Sequence, residues 1–318
     1  VCGAGGNSPK IDHMGSHDFS TNFGEPNAAG FRLVSAEKSG RPQKIAVVGA
    51  SLIVTDVQNG TVLTGNAVAG TTLKAINDIN GVKYVIRFSD TGTANYYGQP
   101  GGATKISMTY LIEWAVDGKP NPEWENICES PPLDTGGNMN RFHVVVFEGD
   151  RIVAAQKSVS KLPELQWFNV GCAGHALAKL HLNGYTYGAQ KQTLTDLVAS
   201  RFVSTWQERQ AFVRMITADY CGTGNANTIA DQPLGYGDAR HYRAWPTSKL
   251  ESRWDENGAT CLNKPRIDAN PSAEGIAFFQ KHILADIKAE CLAVGKVLPA
   301  CPGTSATPFS ELWISTNP

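Results

Sequence analysis

Between residues 31 and 159 the chain is a succession of short runs with a two-residue period, set apart by turn residues in a way that reads as antiparallel pairing. "FRLVSAE", "KIAVVGASLIVTDV", "KYVIRFSD", "KISMTYLIEWAV" and "RFHVVVFEGDRIVAAQKSV" are rich in β-branched and aromatic residues. Turn stretches such as "QNGT", "DING" and "VDGKP" separate them. Parallel strands would need connections of about a dozen residues. The spacing therefore predicts about seven antiparallel strands over 31–165, as a sandwich or a barrel. "NGT" at Asn59 is formally a glycosylation triplet, but Asn-Gly between two strands reads better as a type I′ turn.

After about residue 165 the period changes to that of a helix. "GCAGHALAKLHLNGY" puts Ala176, Leu177 and Leu180 on one face and stops at Gly184. "STWQERQAFVRMITADYCG" opens with Ser204 and Gln207 at capping-box spacing and closes at Gly222. "PSAEGIAFFQKHILADIKAECLAVG" has a cap at Ser272, a stripe of Ile276, Phe279, Ile283 and Ile287, and a stop at Gly295. "WDENGATC" reads as a hairpin about Asn257 and Gly258. The expectation is an α+β chain: an extended arm over 1–30, an antiparallel β module over 31–165, and a mostly helical, disulfide-stabilised module over 166–318.

Charge narrows the partners. Lys and Arg number 28 and Asp and Glu 29, a net charge of −1. Nucleic acid is therefore not expected, since phosphate contacts need a basic excess or stripe. No apolar run is long enough for a membrane-spanning helix. The start "VCGAGGNSPK" reads as a mature chain whose leader has been removed, and residues 1–30 read as a polar arm. His13 and His17 beside Asp12 and Asp18 have metal-ligand chemistry, but a polar tail explains them as well.

The strings "GHALAKLHLNGYTYG", "QAFVRMITADYCGTGNANT" and "WDENGATC", with "PEWENIC" before them, resemble the ADYC-domain proteins of myxobacteria and related bacteria. The resemblance implies export and a cysteine-stabilised fold, and implies no reaction. Leu180 and Phe212 stand where the family pattern often has cysteines, which suggests that an apolar contact here replaces a disulfide.

In an exported chain with seven cysteines, Cys128, Cys172, Cys221, Cys261, Cys291 and Cys301 form an even set and read as a disulfide framework. Proximity favours Cys291 with Cys301. Cys221 with Cys261 would then tie the ADYC loop to the following hairpin, and Cys128 with Cys172 would staple the two modules. Cys2 is left as an intermolecular bridge or a free thiol.

A thiol hydrolase would use Cys172 or Cys221 with His175 or His241 as base, and Asp219 to orient the histidine. No thiol-protease spacing supports it. His175 and His181 are six apart in a helical run and point to different faces. "GTGNANTIADQ" has the look of an ion-binding loop through Asp231, without a defining spacing. Glu123 with Glu125 and Asp255 with Glu256 are adjacent acids of the sort that turns leave solvated. No metal or cofactor is expected.

Trp167, Tyr185, Tyr187, Tyr236, Tyr242, Trp245 and Trp254 crowd the second half. They would serve either as a glycan-binding surface or as packing between the modules. The favoured expectation is a secreted, periplasmic or cell-surface structural or interaction protein that associates into a homo-oligomer or polymer. The thiol hydrolase and a carbohydrate-binding module are the alternatives.

Overall fold

The computed structural model describes residues 18–97, 106–128, 139–140, 142–153, 158–162, 164–189, 204–228, 234–238, 250–266, 284–302 and 313–316. Cys2, Asp12, His13, His17, Asp231, His241, Tyr242, Trp245, Ser272, Ile276, Phe279 and Ile283 lie outside these residues.

Eleven strands form one antiparallel sheet. In chain order its members are β1 (Asp18–Ser20), β2 (Phe31–Lys38), β3 (Arg41–Val48), β4 (Ser51–Asp56), β5 (Val62–Leu63) and β6 (Thr71–Asn77). β7 (Lys83–Asn95), β8 (Ile106–Val116), β9 (Glu125–Asn126), β10 (His143–Gly149) and β13 (Glu164–Cys172) complete it. The order across the sheet is β1-β13-β10-β8-β7-β6-β2-β3-β4-β5, with β9 on β8. The period-two pattern does what it should. In β3, Gln43, Ile45 and Val47 are buried while Lys44, Ala46 and Val48 face solvent.

The sheet rolls back on itself. Leu52 N on β4 donates to the Tyr110 hydroxyl on β8 at 3.0 Å, and Glu148 N on β10 donates to Gly49 O at 3.0 Å. Leu33, Leu52, Val54, Leu73, Phe88, Ile112, Val146 and Phe168 fill the enclosed core. A two-stranded ladder, β11 (Ile152–Val153) with β12 (Ser158–Val159), follows β10.

β10 is buried along its whole length. Val144 and Val146 enter the rolled-sheet core, whereas Val145 and Phe147 enter a second core on the other face. That second core is covered by α1 (Ala176–Leu182) and α2 (Trp206–Thr217). The continuous apolar run "HVVVF" is the sequence signature of a strand covered on both faces. Leu180 on α1 and Phe212 on α2 are both fully buried in this core. α2 begins one residue later than expected, with a capping box at Thr205 and Glu208. Ser204 is not the cap, because its hydroxyl donates to Tyr185 O at 2.6 Å.

The expected helical second module is corrected by a four-stranded antiparallel sheet of order β14-β17-β15-β16. Its strands are β14 (Gly235–Asp238), β15 (Leu250–Asp255), β16 (Gly258–Leu262) and β17 (Trp313–Thr316). The α-helices with described bounds are α1, α2 and α3 (Leu284–Ala293), and the chain is mostly β. The miss has a physical cause. β14 and β17 are four residues each, too short for a period to show, and they pair across a long separation in sequence. Only the β15–β16 hairpin carries local turn chemistry, at Asn257 and Gly258.

The three disulfides are Cys128–Cys172, Cys221–Cys291 and Cys261–Cys301. The first has the expected partners, but both lie in the rolled-sheet core instead of joining two modules. The other two differ from the pairing that proximity suggested. After α3 the chain turns at Gly295 (φ 81°) and runs back beside β16, where Leu262 N donates to Pro299 O at 2.8 Å. Cys301 is thereby carried to Cys261, while Cys291 stays in the last turn of α3 facing the ADYC loop.

β17 lies between β14 and β15, and the Trp254 indole N–H donates to Ser315 Oγ at 2.9 Å. Truncation before Trp313 should expose Trp254 and shift its fluorescence to the red. Ser315→Ala should cost about 1–3 kcal/mol for the orphaned indole donor, read by urea unfolding, with little change in the folded-state spectrum.

Candidate functional site: the ADYC loop and its buried polar groups

The four residues Ala218 to Cys221 each have a separate structural task. α2 ends at Thr217, not at Gly222, because Ala218 turns into the left-handed region (φ 52°). Asn227 secures that end, with its N–H on Thr217 O at 3.2 Å and its Nδ2 on Ala218 O at 3.1 Å. Asp219 accepts from the Arg214 guanidinium and from the amides of Thr223 (3.0 Å) and Gly224 (2.7 Å). It holds the glycine loop, and His241, a histidine it was expected to orient, lies outside the described residues.

Tyr220 is fully buried and stacks on Trp254, with ring centroids 5.2 Å apart. Its hydroxyl donates to Glu251 Oε1 at 2.5 Å. Arg266 donates to the same oxygen from its amide (3.0 Å) and its Nε (2.9 Å), and its second nitrogen lies 2.9 Å from Oε2. Burial raises the Tyr220 hydroxyl well above its ordinary range, and the Glu251 charge adds to it. Burial pulls Arg266 down, but the carboxylate beside it prevails and its pKa is raised. The set is a buried ion pair with one neutral donor.

Cys221 is bonded to Cys291, which attaches the loop to α3. The backbone approaches closely on the hairpin side, where Ala259 N donates to Tyr220 O at 2.9 Å. A Cβ on Gly222 would lie 2.1 Å from Asn257 O, so only glycine fits there. Lys296 closes the arrangement by donating to Asn257 O at 2.6 Å.

A second buried group joins the rolled sheet to α1. His181 lies within hydrogen-bond distance of Tyr96 OH (3.0 Å), Ser107 Oγ (3.1 Å) and Thr186 Oγ1 (2.8 Å). It stacks on Phe147 with centroids 4.9 Å apart. Desolvation pushes its pKa down to about 3, so it is neutral. Asp150 is buried beside Arg209 at 2.8 Å and accepts from Tyr187 N at 2.8 Å. Burial raises its pKa, against the pull of the guanidinium.

The other expected residues are dispersed. Cys172 and Cys221 carry no thiol, so neither supplies a thiolate to His175, which is buried at the start of α1. Tyr185, Tyr236, Trp167 and Trp254 are buried, and Tyr187 is half-buried, so these rings pack and do not form an exposed glycan platform. Glu123 and Glu125 are exposed, and Asp255 accepts from Asn257 N at 2.8 Å within the hairpin turn. Asp18 is buried in β1 and paired with Arg151 at 2.9 Å. Among the described residues no group of three or more His, Cys, Asp or Glu could hold a metal ion. Glu251 and Arg266 were not singled out from the sequence, where nothing links them to Tyr220.

Two outcomes follow from these contacts. Tyr220→Phe removes one donor from a pair that Arg266 still satisfies and should cost about 1–2 kcal/mol. Glu251→Gln removes the carboxylate charge from beside the buried Arg266 and should cost about 3–5 kcal/mol, both measured by urea unfolding. For His181 the folded pKa, about 3, lies below the unfolded value of roughly 6.5, so the unfolded state binds the extra proton between them. Its contribution is complete above the unfolded pKa and declines as pH falls through that window, by up to about tenfold in the folding constant per pH unit. Stability at pH 4–6 should fall less steeply in His181→Gln than in the wild type.

Searches of curated proteins and of solved structures returned no match. A family model, the ADYC domain, matches residues 65–268. The match includes the rolled sheet from the 3-10 turn at Gly65–Val68 onward, the α1–α2 layer, the loop at Ala218–Cys221, the β15–β16 hairpin and Arg266. With well over half its length matched, the chain belongs to the ADYC-domain family.

Proposed function

We propose that this chain is an exported protein of the bacterial cell exterior that works as a structural or interaction component and associates with copies of itself. The observation that carries the reading is the use of the signature residues. Asp219, Tyr220 and Cys221 are all committed to holding α2, β15 and α3 together, by an ion pair, a hydrogen bond to a buried carboxylate and a disulfide. A catalytic group has to be open to a substrate, and these are consumed by the fold. Three disulfides suit an oxidising compartment outside the cytosol. No described helix is long and apolar enough to cross a membrane. A net charge of −1 leaves little repulsion between copies.

Iodoacetamide added to the folded, unreduced protein should modify Cys2 at most. Rapid modification of Cys172 or Cys221 would instead favour the thiol hydrolase. Light scattering across concentration should show a mass above that of the monomer, and a chain that stays monomeric throughout would end the self-association reading.

A further inference from the structure

Asn257, at the tip of the β15–β16 hairpin, is one of four asparagines followed by glycine, with Asn59, Asn80 and Asn183. Asparagine is among the thermally labile residues, and a following glycine leaves the main-chain nitrogen unhindered when it turns on the carboxamide. The fold treats the four differently. The Asn59 carboxamide accepts from Thr61 N at 2.8 Å, and that of Asn80 accepts from Val82 N at 2.9 Å. Asn183 is buried, with its Nδ2 donating to Lys179 O at 2.7 Å and its Oδ1 accepting from Tyr236 OH at 3.1 Å. Asn257 is exposed, and its carboxamide makes no hydrogen bond to any described residue.

Two further contacts bear on the same peptide group. Lys296 Nζ donates to Asn257 O at 2.6 Å. That carbonyl and the Gly258 N–H belong to one amide, so a cation on the oxygen stabilises the anion formed when the nitrogen gives up its proton. The residue after Asn257 is also held to glycine. Gly258 has φ 111°, and a Cβ there would lie 2.7 Å from Tyr220 O and 2.9 Å from Gly222 N. The packing of the ADYC loop on the hairpin thus requires the pair that reacts, and Lys296, which closes that packing, activates it.

We infer that Asn257 is a site of self-modification, deamidated through a succinimide to isoaspartate, with solvent water as co-reactant and Lys296 promoting the reaction. The Gly258 nitrogen loses its proton to water and bonds to Asn257 Cγ. The Cγ–Nδ2 bond breaks, and Nδ2 leaves as ammonia after taking a proton from water. Water then adds to a carbonyl of the ring. Lys296 polarises the main-chain carbonyl, which directs opening there and leaves the chain running through the former side chain. The product adds a methylene to the main chain and a negative charge beside the ADYC loop. There is no slack to take it up, since a Cβ on Gly222 would already lie 2.1 Å from Asn257 O.

The test compares the four Asn-Gly pairs within one wild-type chain, kept folded and oxidised in neutral buffer for several weeks and sampled by peptide mass spectrometry. Fragmentation that separates isoaspartate from aspartate reads the product, and the same chain in urea gives each pair's rate without the fold. In the folded chain Asn257 should convert mainly to isoaspartate, at least about tenfold faster than Asn59, Asn80 or Asn183. In urea the four should react alike. Lys296→Met should slow Asn257 by about tenfold, the worth of one hydrogen bond to a developing charge, and Lys296→Arg should restore it. An unchanged melting temperature should show that both variants are folded. If Asn257 is as slow as Asn59 and Asn80 in the folded wild type, or if the same spread of rates persists in urea, the site is wrong. An Asn257 rate in Lys296→Met equal to or above the wild-type rate would remove Lys296 from the reaction.

Discussion

A carboxylate with no access to water organises the second half of this chain. Glu251 is buried, and its oxygens are satisfied by the Tyr220 hydroxyl and by the amide and guanidinium of Arg266. An uncompensated charge there would cost several kcal/mol, so these groups must arrive together. Their convergence fixes the end of α2 against β15 and seats Tyr220 on Trp254. The glycine loop, the hairpin and α3 are then set around that point by Asp219, Gly222 and the Cys221–Cys291 bond. Such a network adds little to net stability compared with apolar packing, but it tolerates few alternative arrangements.

The rolled sheet is tied to this region by burial on both faces of β10. One face completes the rolled-sheet core through Val144 and Val146, and the other supports α1 and α2 through Val145 and Phe147. His181 sits at that seam as a neutral hydrogen-bond hub for three hydroxyls. A protonated imidazole could not remain in such a site, which makes the seam sensitive to acid while the disulfides hold the rest. The molecule is thus two cores sharing a strand, and neither core is complete without the other. The chain after α3 belongs to the second core, which it enters through Cys291 and Leu298.

Local chemistry was legible in the sequence. The alternation in β3, the Asn-Gly turn of the β15–β16 hairpin, the helical run of α1 and the even set of cysteines all follow from interactions within a few residues or from composition, although α1 is buried all round and not on one face. Long-range contacts decided the remainder. Four-residue strands such as β14 and β17 carry no period, and β14 is joined to β15 only through β17. Helix α2 stops at Thr217 instead of Gly222 because Asn227 and Asp219 claim the groups that would have continued it. Cysteine pairing followed the path of the chain after Gly295, not the spacing in sequence. Tyr185, Tyr236 and Trp254 entered the core because two layers had to be joined, a demand that no local pattern records. By itself the sequence determined a disulfide-bearing, β-rich chain with an ADYC signature, because period, turn chemistry and composition act over short distances. Only the tertiary structure decided what that signature does, since Glu251 and Arg266 reach Tyr220 across 31 and 46 residues of chain.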